Sequence, residues 1–400
     1  MDPLAIINNI QFDDRITKVD EYVFKPYNNT AINESDEIRI AVQSENILAL
    51  PSESFIYLEG TFTQPDGSAT TAKIANNGMA FLFDEVRIDL NGVTIDRTRN
   101  VGITTLIKNL ISLNLMESNK LENAGWATPD SAVNIVTNNK FSACIPLNKI
   151  LGFAEDFNHV IVNIKMELIL IRAKNTTNVS IGTAADPGKV TLTHIDWRLP
   201  VITVKDTEKL KVLKYIENDM PLTVPFRSWE LYEHPSLPQT TNHSWNIATA
   251  LKLERPRYVI VGFQTDKTGV DKDASKFDHC SITDLRVYLN GERFPYNDYK
   301  LDFTNHKIGA LYEHYANFQS SYYGNSQWPL LTKSTFIKHA PLFVIDCSKQ
   351  KEDIKLGAIN ISLEFSSSTN IPANTSAFCL IIHDRVVEYT PLTNIVRIVI

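Results

Sequence analysis

Two stretches in different halves of the chain read almost alike. Asp84–Gly92 is DEVRIDLNG, Asp284–Gly291 is DLRVYLNG, and both end in an Asn-Gly pair. Apolar and polar residues alternate in both stretches, which is the pattern of a strand with one buried face. Asn-Gly tolerates the positive φ angles of a tight hairpin turn. Each stretch therefore predicts a strand that runs into a hairpin, and together they indicate a duplicated unit.

Further matches lie on both sides of these stretches, in the same order in the two halves. Each is an apolar or alternating segment with a counterpart at the same place in the other half, so one chance match does not explain them. The pairs are Phe55–Gly60 with Arg257–Gly262, Val162–Leu168 with Ile359–Phe365, Val190–Arg198 with Ala377–Arg385, Glu21–Phe24 with Trp229–Tyr232, and Ile38–Val42 with Trp245–Ile247.

A helix is predicted after each Asn-Gly pair. Apolar residues recur there at spacings of three and four, which gives a helix one apolar face, and Gly324 is a plausible end of the second helix. The residues are Ile103, Leu106, Ile107, Leu110 and Ile111 in the first half, and Ile308, Leu311, Tyr312, Tyr315 and Phe318 in the second.

These patterns predict an all-β fold of two tandem eight-stranded jelly-roll sandwiches, each with a short helix after the strand that ends in Asn-Gly. Many short strands separated by turns are typical of sandwiches, and there is no regular strand–helix alternation to indicate a parallel sheet. The predicted domains are an N-terminal arm at 1–18, a first jelly roll at 19–203 and a second at 204–400. The boundary lies where the charged run Lys205–Lys214 begins.

Composition excludes several classes of protein. The chain has 400 residues, 43% of them hydrophobic and 21% charged, which is ordinary for a folded protein of two domains. Its formal net charge is −7, and the run Lys205–Lys214 contains Asp206 and Glu208. A protein that neutralises phosphates needs a basic face. We therefore expect no strong direct binding to nucleic acid.

No targeting or membrane segment is expected. Met1–Asn9 has neither the basic lead nor the long apolar core of a signal peptide. Val160–Ala173, the longest apolar stretch, is interrupted by polar and charged residues, whereas a membrane span needs about 20 apolar residues. The four cysteines form no CxxC pair, so we predict reduced, mostly buried thiols and synthesis in the cytosol or nucleus.

Motifs for chemistry are scarce. The sequence has no Gly-rich phosphate loop, no HExxH and no GxSxG. The adjacent pairs Glu313–His314, Glu233–His234 and His279–Cys280 are weak candidates for metal, acid–base or nucleophilic roles, and solvated or interface side chains explain them better. Carboxylate pairs such as Glu155–Asp156 and Glu352–Asp353 are typical of solvated turns. We predict no catalytic, cofactor-binding or metal-binding residue and no cofactor.

An aromatic stripe follows the second predicted helix. Two interpretations stand, a platform for carbohydrates or bases, and a helix face that packs on a sheet. The second is favoured, with the exposed remainder suited to a subunit interface, where Tyr is enriched. The residues are Tyr312, Tyr315, Phe318, Tyr322 and Tyr323.

This layout resembles the double jelly-roll major capsid proteins of tailless icosahedral phages, adenoviruses, virophages and Polinton or adintovirus elements. The resemblance rests on the two helix-containing halves and on the strands that end at Asn91-Gly92 and Asn290-Gly291. Arg257–Thr265 and Phe294–Tyr296 also look similar to capsid-like proteins of arthropod viruses or integrated elements. The chain is compact for this class, so large tower insertions are not expected.

The resemblance implies a structural protein of the virion. Three copies would form a homotrimer of six jelly rolls, a pseudo-hexameric capsomer that tiles an icosahedral shell. The N-terminal arm would lie at the base, and the loops Gln64–Ala72, Asn175–Lys189 and Thr265–Asp278 would project outward or fill contacts. Expected partners are other copies of the chain, neighbouring capsomers, and penton or minor capsid proteins.

Other functions remain open at this point. A tandem jelly roll can carry a glycan-active enzyme, which would need converging carboxylates near the seam between the halves. It can also be a carbohydrate-binding attachment protein with an aromatic groove. A minor penton-type capsid protein usually has one jelly roll, so the duplication weighs against it. We expect no enzymatic activity.

Overall fold

The computed structural model describes residues 15–27, 32–43, 47–128, 131–247, 255–324, 328–349 and 359–399. The first half contains thirteen of the described strands: β1 (Ile16–Phe24), β2 (Glu37–Val42), β3 (Leu48–Ala49), β4 (Phe55–Thr63), β5 (Lys73–Ile74), β6 (Phe83–Leu90), β7 (Val93–Arg99), β8 (Val136–Thr137), β9 (Lys140–Pro146), β10 (Ile161–Val162), β11 (Met166–Arg172), β12 (Ser180–Ile181) and β13 (Lys189–Val204). Its helices are α1 (Val101–Ser112), α2 (Leu115–Lys120) and α3 (Gly152–Asp156).

A helix, α4 (Asp206–Glu217), connects the halves. The second half contains the strands β14 (Leu222–His234), β15 (Asn242–Ile247), β16 (Pro256–Thr265), β17 (Ile282–Leu289), β18 (Glu292–Phe294), β19 (Phe343–Asp346), β20 (Ile361–Ser367), β21 (Thr375–Tyr389) and β22 (Val396–Ile398), and the helices α5 (Gly309–Tyr323) and α6 (Lys333–His339).

Both halves have the same topology. Each has two antiparallel four-strand sheets at its centre, in the orders β1-β13-β4-β9 and β2-β11-β6-β7 in the first half, and β14-β21-β16-β19 and β15-β20-β17-β18 in the second. The first long strand of each half pairs with the last, and the chain alternates between sheets, which is the jelly-roll arrangement. The predicted all-β double jelly roll is confirmed.

The predicted number of eight strands describes only this shared set. Among the described residues, the first half adds the two-residue strands β3, β5, β8, β10 and β12, and the second half adds β22. All five pairs of segments matched in the sequence contribute to corresponding strands. Phe55–Gly60 and Arg257–Gly262, for example, lie in β4 and β16, the third strands of their sheets.

The Asn-Gly pairs form the predicted hairpin turns. Asn91 and Gly92 have φ angles of 47° and 80°, and Asn290 and Gly291 have 50° and 85°. Two consecutive positive φ angles are the geometry of a type I′ turn, whose twist matches that of the strands it joins. These turns connect β6 to β7 and β17 to β18.

Alanine at Gly92 is expected to destabilise the protein by about 1 kcal/mol, because a side chain is strained at positive φ. Space is not the cause, since a Cβ at Gly92 would meet no atom within 4 Å. The control is Gly309→Ala, because the space at Gly309 is equally open and its φ is not positive. Thermal unfolding of the two variants measures the difference in their stability. Equal stability of the two variants would contradict the turn assignment.

The helices lie where they were predicted. In α1, however, burial is not confined to the apolar face. All twelve of its residues are buried, including Lys108 and Asn109. The side that carries Lys108 faces the second half of the chain, where the ammonium lies 3.2 Å from the hydroxyl of Tyr323. In contrast, α5 buries five of its fifteen residues and ends at Gly324, which has φ of 70° as expected for a helix stop.

The charged segment between the halves is solvated, since α4 has no buried residue. β13 ends at Val204 and β14 begins at Leu222. The boundary between residues 203 and 204 stays a prediction. Of the predicted N-terminal arm, residues 1–14 lie outside the described part of the chain, and residues 16–18 already belong to β1.

Candidate functional site

His279 and Cys280 each contact other residues of the second roll. The ring of His279 stacks on Phe303, with ring centres 4.5 Å apart, and its Nδ1 accepts a hydrogen bond from the backbone N–H of Ser281. Cys280 is buried beside Thr265, and burial raises the pKa of its thiol to about 11. A thiol with this pKa is almost entirely protonated at neutral pH, so it is a poor nucleophile.

Alkylation tests this assignment. At pH 8 the thiolate fraction of Cys280 is expected to be about two orders of magnitude below that of a free cysteine, whose pKa is about 8.5. Iodoacetamide followed by peptide mass spectrometry should label Cys280 in denaturant and leave it unlabelled in the native protein. Rapid labelling of native Cys280 would revive the nucleophilic hypothesis.

The histidines of the two Glu-His pairs contact aromatic side chains. Nδ1 of His314 lies 2.7 Å from the hydroxyl of Tyr299, whereas Glu313 accepts a hydrogen bond from Asn317 on the solvent side of α5. The rings of His234 and Trp245 lie nearly perpendicular, with 5.5 Å between their centres. In the described ranges no three His, Cys, Asp or Glu residues are grouped so that they could hold a metal ion.

Within the same ranges, every helix is too short or too polar to cross a membrane.

The aromatic stripe of α5 packs inside the protein, as favoured from the sequence. Tyr258 in β16 contacts Phe318 and Tyr322, with ring centres 5.2 and 5.6 Å apart. Tyr315 is buried, and its hydroxyl donates to the carbonyl of Leu110 in α1. The stripe therefore joins the second roll to the first and does not form an open platform.

A cluster of charged and hydroxyl side chains lies where the two rolls meet, a region we call the seam. It is formed by α1, α3 and β7 of the first roll with α5 and β14 of the second. Lys108 in α1 is 1% exposed, and its Nζ lies 2.7 and 3.0 Å from the carboxylate oxygens of Glu155 in α3. The hydroxyls of Tyr322 and Tyr323 donate to the same carboxylate at 2.8 and 2.6 Å. The ammonium also lies 4.6 Å from the ring centre of Trp229.

Both members of this pair are ionised at neutral pH. Burial lowers the pKa of Lys108 to about 8, against the opposing effect of Glu155. Burial acts to raise the pKa of Glu155, but the charges of Lys108 and Lys149, together with the hydrogen bonds from Lys108 and Tyr323, outweigh it and hold that pKa below its ordinary value. A buried pair with complete hydrogen bonding is costly to break, because either partner alone would be an uncompensated buried charge.

A second ionic group lies beside the first. The guanidinium of Arg227 in β14 holds the carboxylate of Asp156 through two bonds of 2.8 and 2.6 Å, and the backbone N–H of Arg227 donates to the same carboxylate. Asp96 in β7 is 1% exposed and accepts a hydrogen bond from Ser228, with Arg385 3.8 Å away. Each of these groups includes residues of both rolls, so the two rolls are held together as one body.

Acidification is expected to weaken the seam through His383. This residue pairs with Ser228 across β21 and β14, so its side chain lies on the face toward the first roll. Burial, with a smaller contribution from Arg385, lowers the pKa of His383 to about 3, whereas an unfolded histidine titrates near 6.5. Between these values only the unfolded chain binds the proton, so the free energy of unfolding falls as the pH drops from about 6.5 toward 3.

The measurement is the thermal midpoint between pH 7 and 4.5. His383→Gln should lose less stability over this range than the unchanged protein, and His159→Gln, at an exposed position, should not differ from it. Parallel pH profiles for all three proteins would show that His383 does not contribute.

Sequence reasoning was wrong about one part of the seam. Glu155–Asp156 was interpreted as solvated charge, yet the Glu155 side chain is only 9% exposed and that of Asp156 15%. Lys108 was overlooked, although one lysine in the otherwise uncharged segment of α1 was an available signal. The pair Glu352–Asp353 lies outside the described residues.

The outer loops of the two rolls also meet. Asp186 accepts hydrogen bonds from the backbone N–H and the hydroxyl of Thr71, at 2.6 and 2.8 Å, which ties the loop 175–189 to the loop 64–72. The N–H of Gly182 donates to the carbonyl of Val270 in the loop 265–278 of the second roll. Whether these loops project from a larger assembly stays a prediction.

The first strand of the first roll is exposed along its length. In β1, the apolar residues Ile16, Val19, Tyr22 and Val23 are between 45% and 54% exposed. Exposed apolar groups on an edge strand favour pairing or docking with another chain. This strand is therefore the most prominent candidate for a contact with another copy.

Comparison with known proteins agrees with the fold. A sequence model described as double jelly roll-like domain matches residues 72–387. None of the curated proteins compared matches the chain.

Several solved viral structures have a similar fold. A chain in the structure of the Sputnik virophage has a TM-score of 0.61 at 11% identity, with 100% of this chain and 92% of that chain covered. The faustovirus major capsid protein has a TM-score of 0.61 at 8% identity, covering 96% and 92%. The mavirus major capsid protein has 0.55 at 10%, covering 99% and 92%. The resemblance to double jelly-roll capsid proteins is confirmed, and the link to arthropod viruses or integrated elements stays a prediction.

Proposed function

Since the chain belongs to the double jelly roll-like domain family, we propose that it is a major capsid protein that forms homotrimers and tiles an icosahedral viral shell. The observation that carries this proposal is the seam. Two rolls of the same topology are held side by side by the ion pairs Arg227–Asp156 and Arg385–Asp96 and by the hydrogen bonds from Tyr322 and Tyr323 to Glu155. The chain is therefore one block with two similar units. Three such blocks supply the six units of a pseudo-hexameric capsomer.

The similar structures support the same role. The faustovirus and mavirus proteins with this fold are named major capsid proteins. The partners of the chain are then other copies of itself within the trimer, neighbouring capsomers, and penton or minor capsid proteins. Its location is the virion, after synthesis in the host cytoplasm and assembly there or in the nucleus. A net charge of −7 favours a shell that does not itself bind the genome strongly.

A glycan-active enzyme is the first alternative. It would use two carboxylates that face a substrate, one of them as a general acid. The carboxylates at the seam are each engaged with the protein: Glu155 with Lys108, Asp156 with Arg227, and Asp96 with Ser228. This engagement favours a structural role for them.

A carbohydrate-binding attachment protein is the second alternative. Its aromatic groove would need exposed rings, whereas most of the α5 stripe is buried. Among the described residues, Tyr296 and Trp328 are the most exposed aromatic rings, at 88% and 86%, and a glycan could stack on them. A glycan array with Tyr296→Ala and Trp328→Ala variants tests this alternative.

The central experiment is expression of the full chain, followed by light scattering on a sizing column and by negative-stain microscopy. Trimers with a hexagonal outline, or shell-like particles, are expected. A monomer at all concentrations, with hydrolase activity toward glycans or glycopeptides, would overturn the proposal.

A further inference from the structure

A cavity of about 350 Å³ lies between the two rolls, at the end where their loops meet. The first roll lines it with β5, β12, the end of α1 and the segment 131–133, and the second roll with the segment 273–276 and the end of α6. Ile181 of this lining is followed by Gly182, whose N–H donates to the carbonyl of Val270 in the second roll. Both rolls are therefore needed to form this cavity, which we call the inter-roll cavity.

Part of its lining is apolar. Ile74 and Leu110 are buried, and Val133 and Ile181 are half-buried. Ligand pockets typically combine such walls with a few polar groups that fix the orientation of the ligand, and their volumes start at about 300 Å³. The inter-roll cavity is near this lower limit, so it fits a molecule about the size of one sugar ring and is too small for a folded peptide or an oligonucleotide.

Three lysines line the same cavity and come from both rolls. Lys73 lies in β5 of the first roll, whereas Lys276 and Lys338 belong to the second. Among the described residues of the lining, Asp273 is the one carboxylate, so these four side chains have a net charge of +2 in a chain whose net charge is −7. A concave site with one sign of charge and low-dielectric walls concentrates ions of the opposite sign.

Asp273 is engaged with its neighbours in the chain. Its carboxylate lies 3.0 Å from Nζ of Lys276 and accepts hydrogen bonds from the backbone N–H and the hydroxyl of Ser275, at 3.0 and 2.5 Å. Burial acts to raise the pKa of Asp273, but these hydrogen bonds and the charge of Lys276 hold that pKa below its ordinary value. The ionised carboxylate offsets the charge of Lys276, and the positive charge of the lining therefore comes from Lys73 and Lys338.

A neutral donor also lines the inter-roll cavity. The side-chain oxygen of Asn76 accepts a hydrogen bond from the backbone N–H of Ala127, at 2.8 Å. Because its oxygen is engaged in this way, the amide group of Asn76 is held in one orientation. Its nitrogen makes no hydrogen bond to the described residues and can donate to a ligand.

We propose that the inter-roll cavity binds a small organic anion about the size of one sugar ring, with its acidic group held by Lys73 and Lys338 and its body against the apolar wall. Hydrogen bonds between an ammonium and a carboxylate or phosphate are stronger than neutral ones. An acidic sugar of a glycan and a free sugar phosphate both have this chemistry. The proposal goes beyond the capsid function and does not depend on it, since one chain forms the whole cavity.

The direct test is isothermal titration calorimetry on the full chain at low salt, with glucuronic acid, glucose 6-phosphate and neutral glucose as probes. We expect a dissociation constant below about 1 mM for at least one of the two acids, and no binding of glucose. Preference for glucuronic acid would indicate an acidic glycan as the source, and preference for glucose 6-phosphate a free sugar phosphate. If neither acid bound, or if glucose bound equally well, the proposal would be wrong.

Charge variants test the assigned lysines. Lys73→Gln and Lys338→Gln should each weaken binding of the acid about 5-fold or more, and their thermal midpoints without ligand should stay unchanged. Lys333→Gln is the matched control, because Lys333 is an exposed lysine of the same helix as Lys338 and lies outside the lining. Equal affinity of all three variants would overturn the assignment.

A size variant tests the cavity itself. Ala132 is exposed and belongs to the lining, so the indole of Ala132→Trp should occupy the space of the ligand while every charge stays in place. We expect this variant to bind the acid about 10-fold more weakly or worse. Asn134→Trp, at an exposed position outside the lining, should bind like the unchanged protein. Undiminished binding by Ala132→Trp would show that the anion is attracted to the surface at large and not held in the inter-roll cavity.

Discussion

Alanine at Gly152 is expected to lower the stability of the protein by about 3 kcal/mol or more. Gly152 is the first residue of α3, at the seam, and a Cβ there would lie 1.8 Å from the carbonyl oxygen of Arg227. The obstacle is backbone of the second roll, so no rotamer change relieves it. The rolls would have to separate, or α3 would have to shift away from β14.

Thermal unfolding and limited proteolysis measure this effect. Gly152→Ala should unfold several degrees lower and be cleaved faster at α4, the exposed connection between the rolls. Gly309→Ala is the control, because it also adds one methyl group at the start of a helix, where no atom lies within 4 Å. It should be neutral or slightly stabilising. Equal thermal stability of Gly152→Ala and Gly309→Ala would contradict the close approach of the two rolls at Gly152.

Glutamine at Glu155 is expected to cost about 3–5 kcal/mol, the range found when one partner of a buried ion pair is removed. The amide keeps the shape of the side chain but leaves the ammonium of Lys108 without its counter-charge. It also weakens the bonds from Tyr322 and Tyr323, which donate to the carboxylate. The measurement is the thermal midpoint, together with the fraction of protein that forms trimers.

Two further variants separate charge from packing. Glu122→Gln removes the same charge from an exposed position and should leave the thermal midpoint unchanged. The double variant Lys108→Met with Glu155→Leu should be more stable than Glu155→Gln, because it leaves no buried charge. If the double variant were no more stable than Glu155→Gln, the stability of the seam would depend on the shape of these side chains and not on charge compensation.

The strands could be predicted from the sequence because their cause is local. A half-buried strand repeats every two residues, and the turns that end β6 and β17 need the positive φ angles that Asn-Gly supplies. These two signals were enough to locate the strands of both rolls in the sequence. The helices were located for the same reason, since the spacing of Leu106, Leu110 and Ile111 is a property of one segment.

The seam could not be predicted in the same way. Its partners are far apart in the chain: Lys108 meets Glu155, and both meet Tyr322 and Tyr323 of the other roll. A lysine on the polar side of a helix is usually solvated, and only the docking of the second roll buries that side of α1. Similarly, nothing local distinguishes β1 from β14, because their different exposure follows from which roll lies beside each of them.

The order of the strands along the chain has a consequence for synthesis on the ribosome. β13 and β21 are each the central partner of three other strands, yet each is the last long strand of its roll. Neither roll can close before this strand has emerged, so earlier strands wait with unpaired edges while translation proceeds. Such long-range pairing is intrinsically slow. Nascent chains stalled before residue 189 should therefore bind holdase chaperones, and chains stalled well beyond residue 204 should release them.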